Sequence, residues 1–213
     1  MVTAEETEET TRLEAFSDGI FAIAMTLLVL EIRLPEDIAP GTLANSLLHL
    51  WRSYLAFLTS FATIGVMWVN HHRVFNLIRR TDQAILAFNL LLMLGVSFLP
   101  FPTLEVARHI GTPDGRTAAM FFNGTFTAIA IAWGFLWRYV ARRRHLLYEE
   151  ADHASIHGIS RQYLLGPVYY LVALLVAIVS PLTSVIIDLL LAIFFALPAR
   201  MFHRQSTVSG SRR

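Results

Sequence analysis

Arg12, Ser17 and Asp18 are the densest chemistry-bearing group in this chain, and they stand at the head of the run Phe16 to Leu30, which is otherwise almost wholly apolar. A carboxylate within an apolar span costs about 2.5–3.5 kcal/mol on insertion scales unless donors meet it, so the face carrying Asp18 is expected to turn into protein. Set at 100° per residue, Phe16, Gly19, Ile23, Thr26, Leu27, Leu30 and Leu34 fall on a separate stripe, within about 60° of Ile23 and away from Ser17 and Asp18. Glu31, Glu36 and Asp37 follow at the far end of the run. They either concentrate cations there or form an ordinary solvated loop. Asp188 lies two turns into the last apolar run and is functional by default, although a span end near Pro181 would let it reach the interface. No cysteine and no lysine occur, all 17 basic residues being arginine, which removes thiolate nucleophiles, thiolate metal sites, Schiff-base lysines and the phosphate-loop lysine.

The elements that must position these residues are membrane helices. Of 213 residues, 55% are hydrophobic and 15% charged, with a mean hydropathy of +0.53, and a span needs about 20 predominantly apolar residues. Six runs qualify, at about 13–34, 47–70, 84–106, 118–139, 162–180 and 182–197, leaving no length for a catalytic head. Only Ser180, Pro181 and Leu182 separate the last two, so one long re-entrant or kinked element is the alternative. Under six spans, one side holds only Arg33, Arg52, Arg108 and Arg116 and the other side the remaining thirteen arginines. Both termini are therefore expected in the cytoplasm. Arg142, Arg143 and Arg144 read as a topology anchor reaching lipid head groups rather than a nucleic-acid site. Glu5, Glu6, Glu8 and Glu9 occupy the place of a signal peptide's basic region. Thr11 and Glu14 have capping-box spacing, which predicts a helix start there, and Pro35 marks its end. The expected organisation is an N-terminal cytoplasmic segment (1–11), a six-helix transmembrane unit (12–204) and a disordered cytoplasmic tail (205–213).

The string Arg12, Phe16, Ser17, Asp18, followed by G-I-F-A-I-A-M-T-L-L-V-L-E-I, resembles the signature of the endo-lysosomal potassium channel family, transmembrane protein 175, in its bacterial one-repeat form. Trp68, Asn70, His71, His72 and Arg73 at the end of the second run add weaker support. The resemblance implies an all-α membrane protein with six helices per subunit, a homotetramer whose first helices line a central pore, and a cation path favouring potassium. It implies no enzymatic activity and no cofactor beyond the permeant potassium ions, with other copies of the chain and membrane lipids as partners, in the plasma membrane of a bacterium. It also implies an apolar constriction at Ile23, Leu27 and Leu30. At i, i+4 and i+7 these stack as rings on one helix face and would close a pore by dewetting. Leu28, on the other side of the helix, is expected to take a polar substitution with no effect on permeation beyond stability. Thr26 offers either a weak polar site for an ion or a hydroxyl bonded to a carbonyl one turn back in its own helix. Glu31 is placed at the outer mouth. Arg12, Trp68, Asn70 and His71 are the expected partners of Ser17 and Asp18, in a structural network that also takes in Phe16 and fixes the lean of the first helix.

Two rival readings have weaker signals. His153 and His157, four apart beside Asp152, stand at metal-ligand spacing, but a histidine-box membrane oxidase needs more ligands in tighter clusters than His71, His72, His145, His153, His157 and His203 supply. A secondary transporter would need inverted repeats or broken helices, for which Gly166-Pro167 and Ser180-Pro181 are the only candidates. Thr63 to Met67 echoes an ordinary potassium-channel filter, yet it lacks the second glycine and a preceding pore helix.

Overall fold

The computed structural model describes residues 4–35, 39–148 and 153–196. They form α1 (Ala4–Leu27), α2 (Leu43–His49), α3 (Trp51–Phe75), α4 (Gln83–Phe98), α5 (Pro100–His109), α6 (Gly115–Arg142), α7 (His153–Val179) and α8 (Pro181–Ala196). Single 3-10 turns follow α1 (Leu28–Glu31) and α6 (Arg144–Leu146). The first helix starts earlier than its capping-box spacing predicts. Nothing between Ala4 and Thr11 breaks a helix, and glutamates suit its N-terminal end, so Thr11 and Glu14 sit within α1 rather than at its cap.

Helices α4 and α5 form one apolar rod. Leu99 keeps helical dihedrals between them and its N–H bonds the Val96 carbonyl, three residues back. Pro100 occupies the first position of α5, where a missing N–H costs least. Among the described residues five helical stretches are then long and apolar enough to cross a membrane: Glu8–Glu31, Trp51–Phe75, Gln83–His109, Gly115–Arg142 and Gly158–Val179. The sixth expected span is not among these five. The sixth apolar helix, Pro181–Ala196, has 16 residues, about 24 Å at the α-helical rise, against a hydrocarbon core of about 30 Å. It is nonetheless a separate helix packed on α7, α6 and α3, not a continuation of α7. Gly166-Pro167 does not break α7 either, which runs through both residues.

The core lies among α1, α3, α4 and α6, where Phe21, Ile64, Phe75, Leu92, Phe126 and Leu136 are fully buried. Gly95 lets α4 approach α6 closely, since a Cβ there would lie 2.6 Å from Ile129 Cγ1. Gly111, at φ +83, ends α5 in the left-handed conformation that reverses the chain toward α6. At the end of the molecule expected in the cytoplasm, the α3–α4 and α6–α7 connections are stapled together. Ile78 and Leu147 form an isolated antiparallel bridge, Arg79 N donates to Leu146 O at 2.7 Å, and Tyr148 N donates to Leu77 O at 3.1 Å. Asp82 caps α4 by accepting from Ile85 N at 2.8 Å, and its other oxygen accepts from the Tyr139 hydroxyl of α6 at 2.7 Å.

Candidate functional site

Helix α1 has two faces of opposite character. Leu13, Ser17, Phe21, Ala24 and Leu28 recur at helical spacing and are buried against α3 and α4. On the other side Phe16, Ile23, Leu27 and Leu30 are uncovered, Ile23 and Leu30 at 60% and Leu27 at 41% exposure. The 3-10 turn adds something that the 100° arithmetic does not contain. Side chains three apart eclipse in a 3-10 helix, so Leu30 stands directly over Leu27, about 60° round from its α-helical position, and still lies on the stripe. Leu28 belongs to the fully buried face, so a polar replacement there bears first on stability.

Thr26 is exposed on the stripe, and its hydroxyl donates to the Ile23 carbonyl at 2.8 Å, leaving the oxygen lone pairs outward. Glu31 is only partly exposed, and its Oε2 is buried without a hydrogen-bond partner. Glu36 and Asp37 lie outside the described residues.

The buried face is held by a polar chain across three helices. Ser17 Oγ donates to Leu13 O at 2.9 Å and accepts from Asn89 Nδ2 of α4 at 2.9 Å. Asn89 Oδ1 lies 3.0 Å from His71 Nε2 of α3. With its amide nitrogen engaged by Ser17, Asn89 presents its oxygen, so His71 carries its proton on Nε2. The imidazole stacks on Phe75 with centroids 4.1 Å apart and takes edge contacts from Phe21 and Trp133. Nearer the surface, Trp68 Nε1 donates to Asp18 Oδ1 at 2.9 Å, and His72 Nδ1 lies 2.5 Å from Glu14 Oε1.

Arg12, Phe16 and Asn70 stand outside this network, contrary to their expected place in it, Phe16 being exposed on the apolar stripe. Arg12 is exposed, and among the described residues no hydrogen bond or ion pair joins it to Asp18. Asn70 lies on another side of α3, where with Thr63, Trp133, Tyr163 and Tyr170 it lines a cavity of about 60 Å3. One residue before His71, it points roughly 100° away from it. Asn89, Glu14 and His72 were the members that sequence reasoning missed. Asn89 is the lone amide in an otherwise apolar third run, a signal that a polar residue inside a span needs an interior partner. Thr63 to Met67 is continuous α-helix, which removes its likeness to a filter loop. Among the described residues no three His, Asp or Glu side chains cluster to hold a metal. Asp152, His203 and the side chains of His153 and His157 lie outside them.

Outside the first helix, residues of α4 and α6, Met120 among them, line an apolar groove. The groove, of about 640 Å3, runs between α4 and α6 and is lined by Leu91, Leu94, Phe98, Phe121 and Phe135. It carries no polar side chain suited to chemistry.

Residues 12–100 match the family model described as the endosomal/lysosomal potassium channel TMEM175. A potassium channel of Chamaesiphon minutus is 51% identical over 199 residues, 92% of this chain and 98% of that protein. A potassium channel of Streptomyces collinus is 37% identical over 188 residues, 88% of this chain and 91% of that protein. The crystal structure of a lysosomal potassium-selective channel TMEM175 homologue from Chamaesiphon minutus superposes with a TM-score of 0.81 at 49% identity, over 89% of this chain and 97% of that one.

Proposed function

We infer that this chain is a potassium channel, because it belongs to the TMEM175 family and carries that family's likeness over nearly its whole length. It is a multi-pass membrane protein. In the reading we propose, four copies assemble around a central pore in a bacterial plasma membrane, each with six membrane helices, α8 being the short sixth, and both termini in the cytoplasm. The first helix lines the pore, with Ile23, Leu27 and Leu30 as successive apolar rings.

The observation that carries this reading is the two-faced first helix. Its polar residues Ser17 and Asp18 are engaged by α3 and α4, through Ser17–Asn89–His71 and Asp18–Trp68, while an apolar stripe stays exposed on the subunit's surface. Copies arranged around an axis would set those stripes facing one another. An apolar ring excludes ions by making a continuous water column unfavourable, and Thr26 between the rings supplies oxygen lone pairs at which a weakly hydrated cation sheds part of its shell. Asp18 then acts as a positioning residue, not as an ion ligand. The test is a reversal-potential measurement on purified protein in liposomes under opposed potassium and sodium gradients. Reversal near the potassium equilibrium potential is expected, whereas saturable, substrate-coupled uptake without current would overturn the reading in favour of a transporter.

A further inference from the structure

Asn123 of α6 and Ser184 and Asp188 of α8 form a second polar cluster, away from the first helix, and all three are fully buried. Ser184 and Asp188 stand one turn apart on the same face of α8. Asn123 reaches Ser184 from the facing helix, its Nδ2 donating to Ser184 Oγ at 3.1 Å.

Counting donors and acceptors shows an imbalance of one kind only. The second hydrogen of Asn123 Nδ2 goes to Ala119 O at 2.9 Å, and the Ser184 hydroxyl donates to Pro181 O at 2.7 Å. The donors of the cluster are therefore all engaged, yet Asn123 Oδ1, Asp188 Oδ1 and Asp188 Oδ2 have no partner. Turning the Asn123 amide over does not cure this, because it would set an oxygen against the Ala119 carbonyl. Tyr170 of α7 is buried nearby, but no hydrogen bond joins it to Asp188. No arginine or histidine pairs with Asp188 among the described residues. The cluster is short of both positive charge and hydrogen-bond donors, in a setting where an uncompensated carboxylate is expensive.

We propose that Asn123, Ser184 and Asp188 form a binding site for a small monovalent cation of the sodium and potassium class, inside each subunit and apart from the conduction path. Both carboxylate oxygens, the amide oxygen and the remaining lone pair of Ser184 are the kind of hard ligands such an ion takes. One positive charge matches one carboxylate, whereas a divalent ion would leave an excess charge in an apolar surrounding. A water molecule supplies hydrogens but no charge, and a proton supplies one hydrogen for three acceptors. Because the ligands come from α6 and α8, the bound ion would tie the short last helix to the bundle.

The test is thermal unfolding of the purified full-length protein in sodium, potassium or choline chloride at equal ionic strength and fixed pH. The parent's Tm is expected to rise with the logarithm of sodium or potassium concentration relative to choline, as for any ligand bound by the folded state alone. Asp188→Asn, of the same shape, should abolish that rise while its potassium reversal potential in liposomes stays that of the parent. Should Asp188→Asn not fold, Ser184→Ala carries the test through a several-fold shift of the stabilising concentration range. A parent Tm indifferent to the cation, a Tm that answers to pH alone, or a cation response unchanged in the variants overturns the proposal. None of those results bears on whether the first helix conducts.

Discussion

Ile23→Asn places an amide at the middle of the exposed stripe, and the structure separates what that does to folding from what it does to permeation. Ile23 is 60% exposed, so only about two-fifths of its side chain is covered within the subunit. Full burial of such a side chain is worth about 1.5–3 kcal/mol, which bounds the packing loss inside the subunit at about 1 kcal/mol. Leu28 is fully buried. Loss of its packing costs about 2–5 kcal/mol, and an amide left there without partners costs a further 1–3 kcal/mol or so. That total approaches the whole margin of a typical folded protein, about 5–15 kcal/mol, so Leu28→Asn reports on folding alone. The proper comparison is Val29→Asn, at a site that is exposed but off the stripe. If Ile23 forms the tightest apolar ring, hydrating it lowers the barrier to ions, and each 1.4 kcal/mol removed raises the rate about tenfold. Single-channel recording in planar bilayers should show a larger conductance for Ile23→Asn, severalfold to about tenfold, with a weaker preference for potassium over sodium. Val29→Asn should match the parent. If both variants assemble and both keep the parent's conductance and reversal potential, the stripe does not line the pore.

Three further outcomes follow from the packing. Asn89→Leu keeps volume but leaves the buried His71 Nε2–H without its acceptor and removes a donor from Ser17. A stability loss of about 1–3 kcal/mol is expected in detergent unfolding, and a double-mutant cycle with His71→Phe should show coupling above about 0.5 kcal/mol, the usual limit of additivity. The carboxyl of Asp82 is held below its ordinary value. Burial opposes its charge, but the Tyr139 hydroxyl, the Ile85 and Ala84 N–H groups and the Arg143 guanidinium together outweigh burial. Its stabilising contribution is complete above the ordinary carboxylate pKa and is lost as pH falls through the lowered one, so the Tm difference between the parent and Asp82→Asn should narrow on going from pH 7 to pH 3. A difference that stays constant across that range would refute it. Gly95→Val should destabilise by about 1–3 kcal/mol through overpacking, because its first added carbon would meet Ile129. Normal thermal stability would show that α4 and α6 are free to move apart.

The sequence was most legible where one physical rule acted alone. Long apolar runs located the membrane elements, and the 100° projection put Ile23 and Leu27 on one face and Ser17 on another, because helix periodicity is indifferent to what lies around it. It was least legible where rules competed. The capping-box spacing at Thr11 is a local preference, and it yields to the absence of any breaker before it. Leu30 falls on the stripe in either geometry, but the 3-10 turn that sets it directly over Leu27 is announced by no spacing in the sequence. Arg12 and Asn70 have the right chemistry to meet Asp18 and lie within reach of it in sequence terms, but partner choice depends on which face of α3 meets α1. That choice goes to Trp68 and His71, together with Asn89 from a helix whose place in the bundle no local pattern specifies. Asp188 is conspicuous as a charge in an apolar run, whereas its shortage of donors becomes visible only once Asn123 and Ser184 stand beside it.

The staple between the two connections implies an order of events during synthesis. The contacts that lock the first helix need nothing beyond Asn89, so they can close while the chain is still being made. Ile78 must instead wait for Leu147, 69 residues later, which at about 5–20 residues per second is a delay of roughly 3–14 s. Through that interval the α3–α4 connection has unpaired backbone groups, while the first helix is already fixed to its neighbours. The apolar stripe is therefore presented before the subunit is finished, and early contact between nascent copies through that stripe becomes a hazard of biogenesis that the late-closing staple does nothing to prevent.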